Sequence, residues 1–170
     1  MPTIRPVREA DAPAIAELLN EIVRAGVHSV MTGTFSASDQ AEFIRTLPER
    51  AVYLAAFRNG ELLGTQDVLP ARDPDEGEIS TFIAEPARRT GVGSRLVEAT
   101  LEAVRAQDYR RIQAIIRADN APALSFYEHH GFVRSGVVSP YAEVGGRQID
   151  GIRCVRMLLQ PTPGTGKMRR

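Results

Sequence analysis

The sequence predicts an α/β domain, a central twisted mixed sheet of about seven strands flanked by about four helices. Three observations carry that expectation. Apolar strand-like runs alternate with two late amphipathic helical patterns, as crossover connections require. Asn59-Gly60 stands between two such runs as a tight hairpin signal. A basic turn punctuated by Gly91 and Gly93 joins a third run to a helix.

Taken in order, residues 3–7 form a first strand, and Asp11 caps a helix carrying Ile15, Leu18, Leu19, Ile22 and Val23 on one face. A polar stretch, 26–38, leads to a second helix with Phe43, Ile44 and Leu47. Strands at 52–57 and 61–69 flank Asn59-Gly60, and 73–77 is a loop. A strand at 78–84 feeds the glycine turn and a helix over 93–107, whose Leu96, Val97, Thr100, Leu101 and Val104 recur at helical spacing. A strand at 111–117 precedes a short helix with Asn120 as its capping residue, Pro122 in its first turn and Gly131 as its stop. Strands at 132–138 and 149–158 close the domain, joined by a connection containing Gly145-Gly146 that is a candidate hairpin. Residues 1–160 are expected to be one domain, with 161–170 a disordered tail.

Composition agrees. The chain has 170 residues, 43% of them hydrophobic, enough to bury a core without disulfides or metal. Lys plus Arg and Asp plus Glu are equal at 21 each, so no global field draws it to nucleic acid or to an acidic membrane. Cys154, the only cysteine, lies in an apolar run and reads as a buried structural residue. No apolar leader and no run of about 20 apolar residues is seen, so cytoplasm is the expected compartment.

The chemistry concentrates around two segments. In the first, Arg88, Arg89, Thr90, Gly91, Val92, Gly93 and Ser94 open a helix whose positive end suits a pyrophosphate. The two glycines remove side chains where backbone amides need close approach to a ligand. It is neither a dinucleotide fingerprint nor a phosphate loop ending in Gly-Lys-Ser/Thr. In the second, Asn120, Ala123, Phe126, Tyr127, Gly131 and Phe132 follow one helix and one strand later. Together these segments resemble the Gcn5-related N-acetyltransferase (GNAT) superfamily, marked by Arg/Gln-x-x-Gly-x-Gly/Ala and then Asn-x-x-Ala-x-x-Phe/Leu-Tyr-x-x-x-Gly-Phe. The resemblance covers about residues 4–158.

That resemblance implies a GNAT-like fold with acetyl-CoA held in a wedge between the 78–84 and 111–117 strands, and CoA as product. It implies that amides from Arg89 to Ser94 cradle the pyrophosphate, that Arg88 and Arg89 flank it, and that the pantetheine arm pairs along Phe82, Ile83 and Ala84. Asn120 is expected to reach the pantetheine, or to be an ordinary helix cap, or both. Attack by a neutral amine on a thioester needs one proton taken from nitrogen and one returned to sulfur. Tyr127 matches the family tyrosine beside the sulfur, and Glu78, similar in position to the glutamate of histone-acetylating members, is the leading base. Asp67 is its rival. His129 and His130 lack metal-site spacing, and no metal is expected.

The acceptor is less legible. His28 follows the first helix near the 30–35 segment, which in this superfamily often walls the acceptor pocket and ends in Phe35. Residues 141–151 resemble the corresponding part of the phosphinothricin and related amino-acid N-acetyltransferases, through Gly146 and Asp150, although Ile149 replaces the aromatic residue usual there. Arg72, Arg117, Arg147 and Arg153 are candidates for a carboxylate clamp. The preferred expectation is an acetyl-CoA-dependent N-acetyltransferase acting on a small primary amine, an amino acid or an analogue such as phosphinothricin. Its alternatives are a catalytically silent acyl-CoA-binding module and a protein N-acetyltransferase. A homodimer joined through late strands is expected by analogy.

Overall fold

A computed structural model of the chain describes residues 1–26 and 30–158. His28 and the expected tail lie outside the described residues. The elements run β1 (Thr3–Pro6), α1 (Ala12–Ala25), α2 (Ala37–Arg45), β2 (Val52–Arg58), β3 (Glu61–Pro70), β4 (Glu76–Ile83), α3 (Val92–Arg105), β5 (Arg111–Arg117), α4 (Ala121–His129), β6 (Val133–Val144) and β7 (Arg147–Met157). The strands form one seven-stranded mixed sheet in the order β1-β2-β3-β4-β5-β7-β6. Only β4 and β5 pair in parallel, with α3 as the crossover between them.

The helix periodicities translate into packing. Leu96, Val97, Leu101 and Val104 of α3 meet Val68, Ile79 and Ile112 on one face of the sheet, and Leu124 and Tyr127 of α4 join the same core. The opposite face is covered by α1 and α2, where Ile15 and Leu19 pack with Tyr53 and the half-buried Phe35, Phe43 and Phe82. α2 starts on a reciprocal cap: Ser36 Oγ accepts from the Asp39 amide at 3.0 Å, and the Ser36 amide donates to the Asp39 carboxylate at 3.4 Å.

Turn chemistry behaves as the residue types require. Asn59 and Gly60 both take positive φ, 50° and 79°, the combination a two-residue hairpin of this twist needs. Gly145 and Gly146 do the same at 58° and 75° and join β6 to β7 directly. The expected strand ends at 138 and 149 are therefore corrected, since the ladder continues through Ala142↔Ile149 to Val144↔Arg147. Pro140 lies within β6. It is tolerated because β6 is the sheet edge and its register is irregular between Val138 and Ala142, so no ladder amide is missed.

Asp11 also departs from expectation. It occupies the N-cap position of α1 without a side-chain cap bond. Its carboxylate instead binds Arg5 at 2.8 and 2.9 Å and accepts from the Arg8 amide at 2.8 Å, which holds its pKa below the usual aspartate value, chiefly through Arg5. Leu96 is fully buried between α3 and the sheet. Replacing it with alanine is expected to cost about 2–5 kcal/mol, read as a lower denaturant midpoint.

Candidate active site

The site begins where two strands part. β4 is hydrogen-bonded to β3 along its length, from Pro70↔Gly77 to Gly64↔Ile83, and β5 to β7 through Arg117↔Gly151. Between them, β4 and β5 pair only at Glu76↔Arg111, Gly77↔Ile112 and Glu78↔Gln113. Beyond that point each strand turns an unpaired edge to the gap, and buried main-chain groups there need partners. The gap opens into a cleft of about 680 Å³ lined by Thr81, Phe82 and Ile83 of β4, by the turn that follows, and by Asn120, Ala123, Phe126 and Tyr127.

At the far end of the cleft the glycine turn presents amides. The first α3 bond runs from the Arg95 amide to the Gly91 carbonyl at 3.1 Å, so the amides of Val92, Gly93 and Ser94 lie in the first turn, ahead of any helical acceptor. Arg89 has φ of 60° and Gly91 of 87°, which swings this backbone into the cleft mouth. Arg88 is paired with Glu85 at 2.7 Å, whereas Arg89 has no ion pair among the described residues. Ser94 Oγ lies 3.0 Å from His130 Nε2.

The two glycines meet different constraints within the protein. A Cβ on Gly91 would meet nothing within 4 Å, so its left-handed φ is what requires glycine. A Cβ on Gly93 would sit 3.0 Å from the Phe126 ring, so glycine there lets α3 approach α4.

Tyr127 lies beneath the gap, 6% exposed, its hydroxyl sharing a 2.8 Å hydrogen bond with Thr81 Oγ1, which also accepts from Gln66 Nε2 at 2.8 Å. Burial pushes the phenol above its ordinary value, and the nearby charge of Asp67 adds to this. Tyr127 therefore favours its protonated form, and either hydroxyl can donate in its bond to Thr81. Asn120 caps α4, its side-chain oxygen accepting from the Ala123 amide at 3.2 Å. Its carboxamide nitrogen has no protein partner among the described residues and remains for the cleft.

On the other face of the same strands stand the carboxylates. Alternation places Glu78, Ser80 and Phe82 together, and the β3 register brings Asp67 opposite Ser80. Tyr53 lies opposite Asp67 on β2. Glu78 accepts from Gln113 Nε2 at 3.0 Å, while Gln113 Oε1 accepts from Arg153 Nε at 2.7 Å. Arg153 is further bound to Glu76 at 2.5 Å, and Arg111 holds the same carboxylate at 2.6 Å. Asp67 is pushed up to about 7 by burial and by the like charge of Glu78.

The expected acceptor residues are dispersed. Phe35 packs beside Phe82 and Tyr53, its backbone clamped by Asn20 at 2.7 and 2.8 Å. Arg117 ends β5 and is paired with Asp119 at 2.7 Å. Arg147 begins β7 beside the exposed hairpin turn, and Arg72 lies in the exposed loop after β3, beyond the opposite end of the sheet gap from Arg117. Four arginines do not converge on one carboxylate. Thr81, Gln66 and Tyr53 escaped the sequence reading because only strand register discloses which face and neighbour each has.

Residues 14–132 match the acetyltransferase (GNAT) family, and the chain belongs to it. It is thereby an N-acetyltransferase, of a family whose acyl donor is acetyl-CoA. The chain is 29% identical over 168 residues to an L-methionine sulfoximine/L-methionine sulfone acetyltransferase of Pseudomonas paraeruginosa, covering 94% of this chain and 96% of that protein. It is 24% identical over 139 residues to the phosphinothricin N-acetyltransferase of Streptomyces viridochromogenes, covering 79% and 76%. Its fold is similar to that of a phosphinothricin acetyltransferase from Sinorhizobium meliloti solved with acetyl-CoA, with a TM-score of 0.85 and 23% identity over 96% of this chain and 94% of that one.

Gly93→Ala is expected to destabilise the fold by about 1 kcal/mol through crowding against Phe126. Most of that loss should vanish in a Phe126→Leu background, as a double-mutant cycle of denaturant melts would measure.

Proposed function

We propose that this chain transfers the acetyl group of acetyl-CoA to the primary amine of an amino acid or amino-acid analogue, of the phosphinothricin or methionine sulfoximine kind, by direct attack in a ternary complex. The observation that carries the reading is a gap in the sheet with a hydrogen-bonding phenol, Tyr127, on one face and a carboxylate pair, Asp67 and Glu78, on the other. The relatives' substrates support the acceptor class.

The cleft fits the donor on its own chemistry. First-turn amides of α3 with the unpaired Arg89 nearby suit a pyrophosphate, and the free β4 edge suits the amides of a pantetheine arm. Acetyl-CoA supplies an acetyl group activated as a thioester. The Ile83 amide, on the gap side because the Ala84 amide next to it bonds β3, would donate to the developing oxyanion. Tyr127 donates a hydrogen bond to the departing sulfur. Its phenol is a weaker acid than a thiol near 8.5, so it stabilises the thiolate without losing its own proton, and solvent supplies the net proton. The carboxylate pair attracts the ammonium and takes its proton on the opposite face.

The exposed Val133, Val137 and Met157 on β6 and β7 support a homodimer through the late strands. Val137→Glu is expected to convert such a dimer to monomer in sedimentation velocity.

Thiol release from acetyl-CoA, followed over a panel of amines with phosphinothricin and L-methionine sulfoximine included, tests the activity. Tyr127→Phe is expected to lower kcat by about 10²-fold with CoA binding by calorimetry unchanged. Tight CoA binding without turnover on the whole panel would instead identify a silent binding module.

A further inference from the structure

Asp67 is 7% exposed, yet among the described residues its carboxylate meets no hydrogen-bond donor and no cation. Every other buried carboxylate described has such a partner: Asp11 binds Arg5, and Glu76 binds Arg111 and Arg153. Leaving a carboxylate buried, charged and unpaired is costly, and either a proton or a cation from outside the protein relieves it. Four elements surround Asp67. β2 contributes Tyr53, directly opposite; β4 contributes Ser80, directly opposite, and Glu78 on the same face. From α4, Tyr127 is close enough to feel its charge. The helix above presents Ile15 and Leu19, which offer no charge.

Glu78 differs from Asp67 in both respects. It is only half-buried, and Gln113 donates to it in a network that runs on to Arg153 and Glu76. A side chain held this way is suited to setting a field. The one left unbound is suited to taking a proton.

We propose that Asp67 is the base that receives the proton of the acceptor's ammonium group, and that Glu78 tunes the pH at which it can do so. This rests on the acetyl-transfer reading and names the catalytic group within it. The ammonium enters between the two carboxylates, and its proton passes to an Asp67 oxygen. The nitrogen lone pair so released forms the N–C bond, the C–S bonding pair leaves with sulfur, and Asp67 returns its proton to solvent after product departs. An aspartate at the ordinary value would be a poor base for an alkylammonium. Burial and the Glu78 charge raise Asp67 to about 7 and narrow that mismatch.

The pH profile of kcat/KM, with acetyl-CoA and either L-methionine sulfoximine or phosphinothricin, tests this on the full chain. The wild type should rise with pH and bend near 7. Asp67→Asn should fall by at least about 10²-fold and lose the bend. Glu78→Gln should stay within about tenfold and bend at lower pH, since removing a like charge lowers the Asp67 pKa. A bend retained in Asp67→Asn, or abolished activity in Glu78→Gln with Asp67→Asn active, overturns the proposal.

Melting of the free protein gives a readout independent of turnover. With its folded value raised above the unfolded one, Asp67 is protonated in both states below about pH 4, and its ionisation weakens folding as pH rises toward 7. Asp67→Asn escapes that loss, so it should melt above the wild type at pH 8, with the difference closing toward pH 4. An active wild type without this signature sinks Asp67 alone. A wild type that acetylates neither acceptor sinks the acetyl-transfer reading, and Asp67's role with it.

Discussion

After Glu78↔Gln113 the two central strands separate, and each remains tied to its other neighbour, β4 to β3 and β5 to β7. Neither can close the gap without breaking an antiparallel ladder. Their facing main-chain groups are therefore left to a ligand or to solvent, and the space between them becomes the cleft. A ligand edge with amides of its own can complete the sheet here without any particular side chain. The packing of Tyr127 under the gap, and of Phe126 against Gly93, holds the walls apart from the α4 side.

The sheet beside this cleft carries two chemically distinct surfaces, one on each face of β3 and β4. Tyr127, Thr81 and Gln66 form a hydrogen-bonded line on the α3/α4 side, where burial keeps the phenol protonated. Asp67 and Glu78 lie on the α1/α2 side, where burial and like charge make one carboxylate reluctant to ionise. A nucleophile losing a proton and a leaving group needing hydrogen-bond donation call for opposite polarities.

Much of this was legible in the residues. Asn59-Gly60 and Gly145-Gly146 signal hairpins because adjacent positive φ values suit few other residues. The α3 stripe and the α4 motif stand out because their spacing is local. Elsewhere local rules misled. Asp11 looked like a cap, but Arg5 lies close enough in space to claim its carboxylate. Gly93 has a neighbour that local sequence does not disclose, a ring 33 positions away.

Composition and periodicity by themselves determined the class of fold, the order of strands and helices, and the two motifs that flank the cleft, because these depend on contacts between residues near in sequence. Which face each polar side chain takes, that Asp67 is opposite Ser80 and near Glu78, that Arg153 is bound up with Glu76 and Gln113, and that the arginines stand apart were decided by tertiary structure. Those facts depend on strand register and on where β4 and β5 part, and a one-residue slip would send every such side chain to the other face.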